Sequence, residues 1–315
     1  MLLALTITAQ AKPITVSATP LATFGNLSIG TDFGPLRWRG GLVLTSGENA
    51  FGGLSGLALS DDCAGVLAVS DAGRWFRASL TYEDGRLSNV SNAEIAPMLD
   101  SSGRPPRNKS EGDAEALASL GNGRYLAGFE SRPRIGIYDI KKSGLGARFQ
   151  LLRSPKAIAE GPRNGELESV GHFTEGPWKG YYLAIAERNA EGSGNIRGWL
   201  WQSWKTIPFV VRHMENYSIT DAAILPGGDI LLLERSASFL PGMALSRIKA
   251  NTIESGEIIE PQLLFSGHAP FYAIDNMEGI AVCKHDGETR LTIVSDNNFN
   301  AGLQRTMLLQ FAYTP

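Results

Sequence analysis

The chain has only 2 cysteines in 315 residues, and they do not sit at a spacing that holds zinc. Its 4 histidines, His172, His213, His268 and His285, show no metal-ligand spacing either, so a Cys/His metal centre is excluded. No run of 18 apolar residues occurs, which excludes a membrane-spanning helix. An excess of basic residues is missing as well. Lys and Arg total 29 against 32 Asp and Glu, and the net charge of −3 argues against nucleic acid or an anionic membrane as partner. Long 3.6-residue periodicities are almost absent, so helices contribute little. Gly53-Leu54-Ser55-Gly56-Leu57 fails as a nucleophile elbow, because Leu57 stands where the second glycine belongs.

What the chain does have is glycine, 36 residues of it, and a repeated pattern. An acidic or hydroxyl residue opens a short apolar strand, and after a turn a second apolar strand ends on a carboxylate. The five copies pair Ser55 with Asp71, Glu115 with Glu130, Glu168 with Glu187, Asp221 with Glu234, and Glu278 with Asp296. Their first members are 60, 53, 53 and 57 residues apart (115−55, 168−115, 221−168, 278−221). A strand-built repeat of this length predicts an all-β fold, a β-propeller with one blade per repeat.

The last repeat supplies three strands, ending at residues 306–313, so residues 36–45 are expected to add the fourth and close the ring. Residues 13–35 would then either decorate the ring or build a degenerate sixth blade. A closed ring makes residues 12–315 one domain and a monomer the expected state. Residues 1–11 read as the remnant of a signal peptide, with apolar Leu2–Thr8 followed by Ala9-Gln10-Ala11, or else as an ordinary N-terminal strand. Cys63 and Cys283 fall in the first and last repeats, neighbours in a closed ring. They form either a disulfide across the closure or two buried thiols.

In a propeller, the start of the inner strand and the end of the second strand lie on one face near the axis. The long loops at residues 97–113, 154–165 and 188–197 enter or leave at the same points and would roof that face. Carboxylates gathered this densely repel one another unless compensated. Arg74, Arg132, Arg188 and Arg235 follow several of them, and a hard cation, Ca²⁺ or Mg²⁺, suits oxygen ligands, with Asn164, Asn276, Asn297 and Asn298 adding neutral ones. We take Asp71, Glu115, Glu130, Glu168, Asp221, Glu278 and Asp296 as candidate metal ligands. Arg188 and Arg235 are candidates to clamp an anion, and Glu187 or Glu234 to accept a proton. The competing expectation is structural: each polar residue at a strand start holds the next blade's backbone.

As a set, Gly-Gly-Leu-Ser-Gly-Leu, Ser-Asp-Ala-Gly, Asp-Ala-Glu-Ala-Leu-Ala, Asn-Gly-Glu-Leu-Glu, Leu-Leu-Leu-Glu-Arg, Asn-Met-Glu-Gly-Ile and Ser-Asp-Asn-Asn-Phe resemble the phytase-like family, "esterase-like activity of phytase", over residues 50–313. The resemblance implies a bacterial, exported β-propeller, periplasmic or secreted. The Asp-Thr-Asp-Asp-Pro-Ala segment of β-propeller phytases has no counterpart here, so phytate is not the expected substrate. Three functions follow as expectations. The first is a metal-dependent hydrolase, with Ca²⁺, of small anionic phosphate or other esters. The others are a lactonase or sugar-acid hydrolase with a central metal, and a non-catalytic calcium-stabilised binding module of the cell envelope.

Overall fold

The computed structural model describes residues 11–26, 30–159, 167–186, 194–236, 238, 240–254 and 256–315. Five sheets form the ring, antiparallel except where Ile258–Ile259 adds parallel to Lys205–Val211, and the inner strand forms one edge of each. The inner strands are Leu54–Leu59, Ala114–Ser119, Ser169–His172, Tyr217–Ile224 and Asn276–His285. They contact one another in cyclic order, the fifth against the first, so the ring is closed. The alternation of small and branched apolar residues in these strands lets them pack side by side around a narrow channel.

The core is divided among the gaps between blades. Leu42, Leu57, Phe76, Ala281 and Val294 fill the gap between blades 5 and 1, and Leu67, Trp75, Leu117 and Tyr138 the gap between blades 1 and 2. Burying such aliphatic and aromatic side chains is worth about 1.5–3 kcal/mol each.

Closure follows the expected route. Leu36–Thr45 pairs antiparallel with Thr306–Tyr313, giving blade 5 its fourth strand. The preceding residues do not build a sixth blade. Ser17–Pro20 adds outside Leu36–Thr45, and Lys12–Pro13 pairs with Arg86–Pro97 of blade 1. The N-terminal segment thus straddles the seam between the last blade and the first. Cys63 and Cys283 are bonded across the same seam, with Cα atoms 5.8 Å apart and a sequence separation of 220.

The register of the hairpins positions the site. In blade 1 Leu54 opposes Ser70 and Gly56 opposes Val69, leaving Ser55 as the extra residue of a β-bulge. The same count makes Glu115 the bulged residue in blade 2 and Glu278 in blade 5. In blade 3 Glu168 donates its backbone N–H to Ile185, the residue that Ser169 opposes, which places Glu168 at the same step. In blade 4 Ile219 opposes Glu234 and Asp221 opposes Leu233, so the bulged residue is Thr220, not Asp221. Bulges re-aim the side chain they carry. Here they turn Ser55, Glu115, Glu168, Thr220 and Glu278 into equivalent positions.

Candidate functional site at the channel mouth

The one-residue offset in blade 4 corrects two expectations. Asp221 is equivalent to Gly56, Ala116, Ser169 and Gly279, a position pressed against the next blade. A Cβ at Gly56 would lie 2.6 Å from the backbone N of Leu117, and one at Gly279 2.6 Å from the carbonyl of Ser55. Small residues are required there, and Asp221 occupies the position by bonding to what it touches. Its Oδ2 accepts from Ile280 N of blade 5 and its Oδ1 from Ala222 N, both at 2.8 Å. The carboxyl is fully buried and its pKa is raised well above the usual value, chiefly by burial and against those hydrogen bonds. Asp221 is therefore a staple between blades, as the structural expectation had it, and not a metal ligand of the mouth.

Glu234 is offset in the same way. It is equivalent to Ser70, Phe129 and Ser295, and it accepts from Ser246 Oγ at 2.6 Å inside its own blade. Buried there, it is no base at the mouth. Arg235 takes the position that Asp71, Glu130 and Asp296 hold in other blades. Its guanidinium forms a 2.8 Å ion pair with Glu278 of the next blade and donates to Asn276 Oδ1. Glu187, Arg188 and Asn164 lie outside the described residues.

Two of the remaining expected ligands, Glu115 and Glu130, come together with Asp113. Oxygens of Asp113, Glu115 and Glu130 lie within 4.8 Å of one another. Burial, reinforced by Asp113 and more weakly by Asp71 and Glu278, raises the Glu115 pKa well above its usual value, against a hydrogen bond from Ser55. Asp296 is pushed up to about 6, first by burial and then by Asp71, while Asn298 N, Lys109 and Arg235 oppose the shift. Blades 1, 2 and 5 thus deliver carboxylates that sense one another's charge. Glu168 reaches the mouth by its bulge position, from blade 3.

Two residues were not singled out from the sequence. Asp113 stands two positions before Glu115 and is almost completely buried; Ser131 donates both its N–H and its hydroxyl to Asp113 Oδ2. Lys109 comes from the expected roof loop, on a four-residue helical turn whose N-cap Asn108 accepts from Glu111 N. Its Nζ donates to Asp71 Oδ2 at 2.7 Å and stands 3.8 Å from Asp113 Oδ1. The lysine pKa is raised: burial opposes its charge, but Asp71, Asp113 and Glu115 outweigh that penalty.

Of the other expected counter-charges, Arg132 turns away to Glu111 at 3.5 Å, and Arg74 acts on Glu48. His172 sits at the far end of its inner strand, at the other opening of the channel. Burial lowers its pKa.

The donor set fits a hard cation. Asp113 Oδ1 and Asp71 Oδ1 are buried carboxylate oxygens without a hydrogen bond, a state that costs about 1–3 kcal/mol or more for a charged group. Gly53, at φ +63°, lets Asp71 approach closely, since a Cβ there would lie 2.3 Å from its Oδ1. Hard carboxylate oxygens at these positions match the chemistry of Ca²⁺.

The sequence model of the phytase-like family, described as esterase-like activity of phytase, matches residues 49–299. Among curated proteins no relative is matched. Among solved structures, a crystal structure of the N-terminal domain of Nup159 is 9% identical with a TM-score of 0.38, covering 93% of this chain and 99% of that one. A structure of the Dos1 propeller is 11% identical with a TM-score of 0.37 over 93% and 82% of the two chains. That of the RS223 beta-xylosidase is 10% identical with a TM-score of 0.49 over 89% and 96%.

Proposed function

Since this chain belongs to the phytase-like family, a hydrolase-type β-propeller, we propose that it hydrolyses small anionic esters, phosphate esters first among them, with Ca²⁺ at the channel mouth. The observation that carries this reading is the Asp113, Glu115 and Glu130 cluster, together with the unbonded buried oxygens of Asp113 and Asp71. These residues would hold the cation, with Glu168 and Glu278 at the equivalent positions of blades 3 and 5. Bound there, the ion would polarise an ester oxygen and make an attacking water more acidic.

The protein groups have separable roles. Arg235 is fixed by Glu278 and Asn276 and can present its remaining N–H groups to an anionic oxygen. Lys109, bonded to Asp71 and close to Asp113, supplies the second positive charge at the acidic cluster. With Glu234 buried elsewhere, we assign proton acceptance to Asp296, whose charge both Lys109 and Arg235 influence. The Cys63–Cys283 bond supports an oxidising compartment, periplasmic or external.

The test is a panel of phosphate esters, carboxyl esters and lactones with the calcium-loaded protein. Hydrolysis of a phosphate ester is expected, and either chelation or Glu115→Gln should reduce it to background, on the order of 10²-fold or more. Turnover confined to lactones would give the mouth a different substrate. Calcium binding without turnover of any ester would leave a binding module and end the hydrolase reading.

A further inference from the structure

Beside the mouth lies a cavity of about 470 Å³ that the proposed chemistry does not use. Its walls are the roof loop after blade 1 and the second and third strands of blade 2. Four arginines line it, Arg104, Arg107, Arg132 and Arg134, against two carboxylates, Asp100 and Glu111, a surplus of two positive charges (4 − 2). Arg104 pairs with Asp100, and Arg107 pairs with Glu111. Arg132 has only a 3.5 Å contact with the already paired Glu111. Among the described residues Arg134 reaches no carboxylate: its donors go to the carbonyls of Arg132 and Glu111. Burial lowers its pKa. The surplus charge therefore sits on Arg132 and Arg134.

Three aromatic residues, Phe129, Tyr138 and Phe149, form one side of the wall, and Met98, Leu99, Pro105 and Pro106 add further apolar surface. Arg134 stacks over Phe129 with its guanidinium carbon 3.8 Å from the ring centroid. Phe149 meets Phe129 and Tyr138 edge-on, at centroid distances of 5.8 and 5.9 Å. A cavity of this size holds a single ring with its substituents. Flat apolar walls and a pair of planar, charged donors select a planar anion. The cavity is adjacent to the mouth along the chain: Glu111 and Gly112 of its wall precede Asp113, and Arg132 follows Glu130 by two residues.

We propose that this cavity is a subsite for an aromatic organic anion, with Arg132 and Arg134 taking the charge and the partly exposed Phe149, backed by Phe129 and Tyr138, taking the ring. Resting on the proposed hydrolase function, it further specifies an aryl substrate whose anionic end lies in the cavity while its ester linkage reaches the carboxylate cluster. Binding in the cavity itself needs neither cation nor turnover.

Calorimetric titration of the chelator-treated protein with phenyl phosphate, benzoate, phenol and inorganic phosphate tests the proposal. Both aryl anions should bind saturably, and at least about tenfold more tightly than phenol or inorganic phosphate. Arg132→Ala should weaken phenyl phosphate on the order of tenfold, and Arg132→Lys should recover part of that loss, since an ammonium lacks the planar fork. Glu115→Gln should leave this affinity within about twofold, even where it abolishes calcium binding and hydrolysis. Equal binding by wild type and Arg132→Ala, loss of binding in Glu115→Gln, or no saturable binding of either aryl anion would overturn the subsite. Failure of hydrolysis with intact aryl-anion binding would overturn the hydrolase reading alone.

Discussion

Replacing both Cys63 and Cys283 by serine is expected to cost about 5 kcal/mol of unfolding free energy, on the chain-entropy estimate for a very long loop. The bond spans 220 residues and ties blade 1 to blade 5 at the seam where the ring closes. All five blades lie within or beside the loop it encloses, so reduction frees nearly the whole unfolded chain. Native contacts at the seam should survive, because Leu36–Thr45 still pairs with Thr306–Tyr313. The double variant should therefore fold, bind calcium and unfold at lower denaturant. Urea titration of oxidised wild type against Cys63→Ser/Cys283→Ser reads this out; coincident midpoints would show that strand exchange alone closes the ring.

The second large effect is expected at Asp221. Asp221→Ala leaves the N–H groups of Ile280 and Ala222 buried and unbonded, at about 1–3 kcal/mol each. A total loss of about 2–6 kcal/mol follows, with the calcium affinity of the folded protein unchanged. A ligand residue would behave in the opposite way, losing calcium binding while keeping most stability in chelator. Measuring denaturant midpoint and calcium affinity on the same Asp221→Ala sample separates the two outcomes.

Asp221 also shows what was legible in the sequence and what was not. The five repeats, their inner strands and the closing strand all follow from apolar alternation and repeat spacing, whereas the choice between five blades and a degenerate sixth needed the pairing of residues 12–20. The bulge register does not, because a one-residue shift leaves composition and spacing nearly unchanged while turning a side chain to the other face. The residue before the bulge held the signal: Leu54, Ala114, Leu167, Ile219 and Met277 are buried apolar anchors. Aligning on Ile219 rather than on the nearest carboxylate selects Thr220 and Arg235. Asp113 was within reach of the same alignment. Lys109 and the arginine-lined cavity were not, since both depend on how the roof loop folds back over Asp71 and Phe129.

The central claim, that the mouth is a cation site, is tested most directly by melting temperature against pH, in chelator and in calcium. Without metal, burial raises the folded-state pKa of Glu115, and that of Asp296 to about 6, above their unfolded values. The folded protein then holds protons that the unfolded chain releases, so stability falls as pH rises from about 4 through 6. For Asp296 alone the loss is on the order of 3 kcal/mol. Calcium requires the ionised carboxylates, so its stabilisation grows over the same interval, reaching about 2.7 kcal/mol at a hundred times its dissociation constant. The account predicts that the two curves meet near pH 4–5 and diverge by several degrees at pH 7, and that Glu115→Gln closes most of the gap. Superimposed curves across pH 5–8 for the wild-type protein would contradict it.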